Sequence, residues 1–376
     1  MSKPIVSFCI ATYNRAERVY ALVKSILSYE LDNIEVCVND NASTDNTKEL
    51  LSNINDSRFK YYENGATVCA TKNMLTAIYR ASGKYAFYCN DRDLVVVEHI
   101  SKLVAFLSER DLAYVYCGHV VGGIIYDSSI SAYSNLFFFK HPTGEIFNVQ
   151  LLAKLNLEHY LAFEKDLPYI AIPFYCIFAE IALLGPCAEI PNMFWKLADD
   201  SYIKSNPSGS AAHTEKRMWR YFLPAEFAPQ VISGLNYMID MKQFNKVEIS
   251  KICCSVYKKE ALRVMEFYAG VMAKPIYAYR YNYNIIVNSV FDQYRHYRLF
   301  YKIYKSSNPY AYHSFLQKFG LSLFGVYIFY RILVRPLKVY LLYKSSVKTL
   351  LWRLISIRNA VVSTRRNLAM RTRGFR

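Results

Sequence analysis

The stretch Lys84-Tyr-Ala-Phe-Tyr-Cys-Asn-Asp-Arg-Asp93 is an apolar, aromatic run that stops abruptly at two carboxylates one residue apart. A short run of β-prone residues bounded by polar ones predicts a buried strand. Asp91-Arg92-Asp93 then falls in the turn beyond the strand's carboxyl end. Two Asp side chains placed there can share a hard divalent cation, or divide the work between cation and ligand. The same residues also suit an ordinary turn at Asp91 with Asp93 capping the next helix. The sequence upstream separates these readings.

Ile5 to Ala11 predicts a first buried strand, ending in the polar turn Thr12-Tyr13-Asn14-Arg15. Ala16 to Tyr29 carries Val19, Leu22, Val23, Ile26 and Leu27 on one helical face. Ile34 to Val38 predicts a second strand, followed by Asn39-Asp40-Asn41-Ala42-Ser43-Thr44-Asp45 and a helix from Thr47. Phe59 to Tyr62 is a third strand before an Asn64-Gly65 turn, and Lys72 to Ala81 is a helix closed by Ser82-Gly83 as a glycine cap. After the aromatic strand, Leu94 to Leu107 predicts another amphipathic helix. Strands alternating with helices imply parallel pairing through right-handed crossovers. Ligands bind such sheets at the carboxyl edge of the strands. Thr12, Asp40 and Asp91 all stand just past strand ends, so the topology can gather them. No G-x-G-x-x-G follows the first strand and no G-x-x-x-x-G-K-[S/T] occurs, which disfavours a common dinucleotide site and a P-loop.

Four motifs in order, Ile10-Ala-Thr-Tyr-Asn-Arg15, Val38-Asn-Asp-Asn-Ala-Ser-Thr-Asp-Asn-Thr47, Lys72-Asn73 and Asn90-Asp-Arg-Asp93, resemble the N-terminal half of a family 2 glycosyltransferase. The resemblance covers roughly the first hundred residues. It implies a GT-A fold, that is, an α/β mixed sheet flanked by helices that binds a nucleotide-diphospho-sugar, followed here by a helical C-terminal region. It also implies transfer of a sugar from a nucleotide-activated donor to an acceptor hydroxyl, usually with inversion, and family habit favours UDP. Under it Thr12, Tyr13, Asn14 and Arg15 line the donor pocket, and Asp40 with Asn41 faces the base. There Asp40 would accept from a pyrimidine N–H, or else merely cap its own turn. Lys72 would meet the diphosphate and Asn73 brace the pocket, although both also suit a solvated helix start. Asp91 would hold the ribose or a metal-bound water, and Asp93 would ligate Mn2+ or Mg2+ against the leaving diphosphate. Arg92 replaces the acid or small residue that many relatives carry, so it contacts the diphosphate or points to water.

Inverting transfer needs a carboxylate to take the acceptor's proton. The family carries it as a downstream acidic pair after a glycine-containing turn. Leu183-Leu-Gly-Pro-Cys-Ala-Glu189 followed by Met193 to Tyr202 has that layout, which makes Asp200 the base and Asp199 its neighbour. Two adjacent acids in an aromatic setting repel and lose hydration, which raises at least one pKa; a helix cap is the plainer alternative. Trp195 is either an acceptor-sugar platform or a core residue. Phe137-Phe-Phe-Lys140 can be exposed or buried. No Ser-His-Asp order or H-E-x-x-H supports a hydrolase.

The chain has 376 residues and a formal charge of +16. No acid follows Asp292, and residues 293–376 hold 17 of the 46 Lys and Arg, leaving 29 basic against 30 acidic residues elsewhere. A near-neutral body with a cationic end predicts an anionic partner surface. From Tyr294 aromatics interleave with cations, and apolar runs are interrupted at Arg331, Arg335, Pro336 and Lys338. That pattern predicts helices lying in a membrane interface, too short and broken to span it. Nucleic acid is disfavoured by the aliphatic runs. The expected domains are a catalytic one at 1–205, a mainly helical accessory region at 206–313, packed on it or on a second copy of the chain, and a basic membrane-associating tail at 314–376. Scattered Cys, no C-x-x-C pair and no leader-like N-terminus predict a cytoplasmic protein, peripheral on the inner face of the membrane. The partners expected are a nucleotide-sugar donor and a glycan or polyprenyl-diphosphate-linked acceptor. A nucleotidyltransferase, or a non-catalytic glycan-binding scaffold on the same fold, are the rival readings.

Overall fold

The computed structural model describes residues 3–162 apart from 119, 121 and 139, residues 172–197, and residues 231–256 apart from 232, 233, 246, 250 and 254. In chain order the first half runs β1 (Val6–Thr12), α1 (Ala16–Leu27), β2 (Ile34–Asp40), α2 (Thr47–Ser52), β3 (Phe59–Glu63), α3 (Ala70–Tyr79) and β4 (Tyr85–Asn90). Then come β5 (Leu94–Val95), α4 (Ile100–Ser108), β6 (Tyr114–Gly118), β7 (Ile124–Tyr126), α5 (Ser129–Leu136) and β8 (Glu145–Asn148). The last are α6 (Val149–Leu152), α7 (Leu157–Ala162), α8 (Ile172–Ile181), β9 (Cys187–Pro191) and β10 (Trp195–Lys196).

Eight strands form one sheet in the order β3-β2-β1-β4-β8-β6-β9-β7, and β10 pairs with β5 in a small second sheet. β1 to β4 are mutually parallel, as expected from their helical connections. β8 runs antiparallel between β4 and β6, which makes the sheet mixed. Alternation sorts the side chains. Val6, Phe8 and Ile10 of β1, with Val36, Val38, Tyr85 and Phe87 of its neighbours, join one core with α1 and α4. The opposite face receives α3 through Leu75 and Ile78, and α8, whose Phe174 meets Tyr88. Phe137 is wholly buried in an aromatic cluster with Tyr133, Tyr175 and Phe178, so its ambiguous run is core.

Two local expectations are corrected. Leu94 to Leu107 is not one helix, because Leu94 and Val95 form β5 and Val97–His99 a 3-10 turn before α4 starts. Three consecutive valines favour extended backbone, and pairing of Val95 with Trp195 holds it there. Gly83 does not cap α3, which ends at Tyr79 with Arg80 still helical, and it lacks the positive φ such a cap needs. It is glycine because a Cβ there would stand 2.7 Å from Ser7 Oγ and 3.0 Å from the Pro4 carbonyl.

Among the described residues no helix is long and apolar enough to cross a membrane. Asp199, Asp200, the loop at 206–212 and the expected tail at 314–376 lie outside the described residues, as does most of 206–313.

Candidate active site

Strand register sets which side chains can meet. Thr12 pairs with Asp40, Asp40 with Glu63, and Ala11 with Asn90. The carboxyl ends of four parallel strands therefore form one row, with neighbours about 4.8 Å apart. Those strand ends and the turns that follow carry Thr12 to Arg15, Asp40, Asn41 and Asp91 to Asp93, whereas Lys72 and Asn73 lie in the first turns of α3.

Asp91 is 4% exposed and tightly held. Arg15 Nη1 donates to both of its oxygens at 2.7 and 2.9 Å, and Thr12 Oγ1 donates to Oδ2 at 3.0 Å. Arg15 is placed by the turn before α1, where Asn14 has φ 51°. Asn14 uses its N–H toward Ser43 Oγ at 2.8 Å and its side-chain oxygen toward the Thr44 N–H at 2.7 Å. Asp45 joins the same two turns, accepting from the N–H groups of Ala16 and Thr47, both at 3.1 Å. Asp45 thus shapes the turn.

Asp40 is wholly buried. Its Oδ1 accepts from the Ser43 N–H at 3.1 Å and Ser43 Oγ at 2.5 Å, and its Oδ2 accepts from Tyr61 OH at 2.8 Å. The turn-capping alternative is therefore present in the structure, and any base contact must use the remaining lone-pair capacity. Burial first, and Asp40 second, push the Tyr61 phenol far above its ordinary range, so it stays a donor. Ala42, the next turn residue but one, has φ 57°, a conformation that costs a residue with a Cβ about 1 kcal/mol.

Behind this row four asparagines form a network. Asn39 Nδ2 donates to Asn73 Oδ1 at 2.7 Å and Asn64 Oδ1 at 3.1 Å, and Asn64 Nδ2 donates to Asn41 Oδ1 at 3.0 Å. Asn41 exchanges hydrogen bonds with the Val68 backbone at 2.8 and 2.9 Å, and Asn73 Nδ2 reaches the Thr12 carbonyl at 3.2 Å. Asn73 therefore ties the start of α3 to the sheet edge. Lys72 beside it and Arg92 in the turn after β4 are half-buried, and neither has a carboxylate partner among the described residues.

Asp93 is 5% exposed. Its Oδ2 accepts from Asn90 Nδ2 at 3.1 Å and from the Thr143 hydroxyl, whose oxygen also accepts the Asn90 N–H at 2.9 Å. His141 Nδ1 lies 3.6 Å from the same oxygen. The imidazole stacks on Trp195 with ring centroids 4.8 Å apart and planes at 21°. Trp195 is 8% exposed and part of the apolar core, and His141 covers one face of its ring. Burial holds the His141 pKa below its ordinary value against the pull of Asp93, which favours the neutral ring.

Asp93 and Asp91 were both expected as metal ligands, but they differ in readiness. Asp91 is neutralised by Arg15, whereas Asp93 Oδ1 carries no hydrogen bond among the described residues. Among those residues no cluster of three or more His, Cys, Asp or Glu forms a cation cage. One or two protein donors completed by substrate phosphate oxygens is nevertheless a usual way to hold Mg2+ or Mn2+. The open Oδ1 of Asp93 fits such a donor set, since both hydrogen bonds to this carboxylate go to Oδ2. His141, Thr143, Asn39 and Asn64 were not singled out from sequence. His141-Pro-Thr-Gly144 has the composition of any turn, and only β8 lying beside β4 brings it to Asp93.

The profile described as "Glycosyl transferase family 2" matches residues 7–153, which span every motif of this row. Over residues 7–153 the chain is similar to glycosyl transferase family 2. The chain is 31% identical over 117 residues to the UDP-Glc:alpha-D-GlcNAc-diphosphoundecaprenol beta-1,3-glucosyltransferase WfaP of Escherichia coli, a match covering 31% of the chain and 47% of that protein. It is 32% identical over 116 residues to the abequosyltransferase RfbV of Salmonella typhimurium, covering 30% of the chain and 35% of that protein. The matched part is thus less than half of either relative. The crystal structure of S. aureus TarS 1–349 in complex with UDP-GlcNAc aligns at a TM-score of 0.45 and 15% identity, over 67% of this chain and 72% of that one.

Proposed function

We propose that the chain is a glycosyltransferase that moves a sugar, with inversion, from a nucleoside-diphosphate sugar to a hydroxyl of a lipid-linked glycan. One observation carries this reading. A clamped carboxylate, Asp91, and a carboxylate open to a cation, Asp93, sit beside two cations without carboxylate partners, Lys72 and Arg92, and the N-terminus of α3. That grouping suits a diphosphate, because helix N–H groups and cations complement its charge while Asp93 supports a bridging ion. The E. coli relative's name, with its UDP-sugar donor and diphosphoundecaprenol acceptor, supports UDP and a lipid-linked substrate.

The chemistry asked of the chain is a single displacement. The acceptor oxygen bonds to the anomeric carbon as the bond from that carbon to the phosphate oxygen breaks, and its electron pair leaves with the nucleoside diphosphate. The hydroxyl proton passes to Asp200. Mn2+ or Mg2+, when bound, offsets the charge on the leaving diphosphate. Asn73 and the asparagine network hold the row of strand ends rigid, so that the donor is oriented rather than merely captured. Accordingly, Asp200→Asn is expected to lower transfer by about a thousandfold, with donor binding retained. Release of nucleoside diphosphate, followed with a panel of nucleotide sugars and an undecaprenyl-diphosphate-linked acceptor, measures it. Wild-type rates in folded Asp200→Asn would remove Asp200 as base, and no turnover with any donor would remove the enzyme reading.

The cationic end adds an anionic leaflet as a proposed partner, at about 1 kcal/mol for each basic residue near the surface. Removal of residues 314–376 is expected to abolish co-sedimentation with anionic vesicles, and undiminished binding by the shortened chain excludes that region as the anchor.

A further inference from the structure

We infer that Thr143, in the turn before β8, is a positioning residue for sugar transfer: its hydroxyl sets the Asp93 carboxylate so that Oδ1 alone is offered to the divalent ion. The inference rests on the metal-assisted reading of Asp93 and extends it to a residue outside every motif of the sequence.

A threonine hydroxyl has one hydrogen to donate and two lone pairs to offer. Thr143 is wholly buried, and its oxygen accepts the Asn90 N–H at 2.9 Å. Its hydrogen goes to Asp93 Oδ2. The Asn90 side chain donates to the same oxygen at 3.1 Å, and its amide is held that way round because Tyr88 OH donates to Asn90 Oδ1 at 3.1 Å. Burial pushes the Tyr88 phenol well above its ordinary range, so it stays a donor. Two donors therefore converge on Oδ2, while Oδ1 receives none among the described residues. Hydrogen bonds to an ionised carboxylate are the strong ones, and in a buried setting they fix the side chain's orientation.

The turn that carries this hydroxyl is anchored from both sides. The Gly144 N–H donates to the Tyr88 carbonyl at 3.1 Å and the Gly144 carbonyl accepts the Cys117 N–H at 2.9 Å, which stitches the turn between β4 and β6. At its start Lys140 is buried, with Nζ 4.0 Å from the centre of the Phe178 ring and 2.9 Å from Tyr114 OH, to which it donates. Tyr114 OH in turn donates to Glu145 at 2.8 Å. Thr143 is thus a fixed point against which Asp93, 50 residues earlier, is set. A threonine that only tied the turn to β4 needs the Asn90 N–H alone. The second hydrogen bond, to the carboxylate, links this turn to the ion. Groups that orient a metal ligand from behind commonly change metal affinity by about ten- to a hundredfold when removed.

The test is calorimetric titration of Mn2+ into the full chain with UDP present. Thr143→Val keeps the shape and removes the hydroxyl, and it is expected to bind Mn2+ about tenfold more weakly. Thr143→Ser restores the donor and is expected to stay within about twofold of the wild type. In an Asp93→Asn background the valine substitution is expected to cost nothing further, because the two residues act through one contact. Wild-type affinity in Thr143→Val, a serine variant as weak as the valine one, or equal losses from Thr143→Val with and without Asp93 overturns the assignment. Thr143→Ala, which adds no apolar bulk, is read in the same way if Thr143→Val does not fold. Asp93→Asn by itself separates the two levels of the argument. Weak binding in Asp93→Asn beside normal binding in folded Thr143→Val or Thr143→Ala sinks only the role of Thr143. Undiminished binding in Asp93→Asn sinks the metal reading of Asp93, and this inference with it.

Discussion

Asp93→Asn is expected to reduce sugar transfer by about a thousandfold or more at saturating Mn2+, with little change in melting temperature. The size follows from the charge that a leaving diphosphate develops. Lewis-acid stabilisation contributes several kcal/mol, and about 4 kcal/mol corresponds to three decades in rate. The substitution keeps the shape and one oxygen, so Asn90 and Thr143 retain an acceptor. It removes the negative charge that makes the position a ligand. Asp91→Asn disturbs a different contact, the bidentate Arg15 clamp, and serves as the comparison. Initial rates across a Mn2+ titration, with thermal melts of each variant, measure the effect. A variant at position 93 that keeps a tenth of the wild-type rate would dismiss Asp93 as the metal ligand.

The largest stability effect is expected far from the strand ends, at Glu35→Gln. Glu35 is 1% exposed at the start of β2. Its Oε1 accepts from Ser7 Oγ at 2.5 Å and from the N–H groups of Ser82 at 2.7 Å and Gly83 at 3.2 Å, and its Oε2 accepts from Ser82 Oγ and pairs with Lys60 Nζ, both at 2.7 Å. Burial alone would raise its pKa. Lys60 and the Ser7 and Ser82 donors outweigh that and bring it down to about 2 from an ordinary 4.5. The difference is worth about 3 kcal/mol. Because the folded-state pKa is depressed, this stabilisation is complete above pH 4.5 and is lost as pH falls from there toward 2. A glutamine must also turn an N–H2 toward donors that need an acceptor. Urea denaturation should therefore show Glu35→Gln about 3 kcal/mol less stable at pH 7, with the gap to wild type closing below pH 4.5. A constant gap across that range would remove the charge as its cause.

Much of the first hundred residues was legible because its signals are local. Apolar runs at Val6, Ile34 and Tyr85 mark strands, and the Val19, Leu22, Val23, Ile26 spacing marks a helix, without knowledge of any distant residue. The misreadings share one cause. Val95 is extended because Trp195 pairs with it, and Gly83 is small because Pro4 and Ser7 crowd it. Neither partner is near in sequence. His141 and Glu35 were missed for the same reason, since each acquires meaning from groups tens of residues away.

The sequence by itself determined the alternation of strand and helix, the polar turns at the strand ends and the family they resemble, because periodicity and turn chemistry act over a few residues. Tertiary structure alone decided that Arg15 clamps Asp91, that Asp40 is capped and wholly buried, and that His141 stands over Asp93 against Trp195. Those contacts depend on strand register and on β8 inserting antiparallel beside β4, and neither is encoded in any one segment.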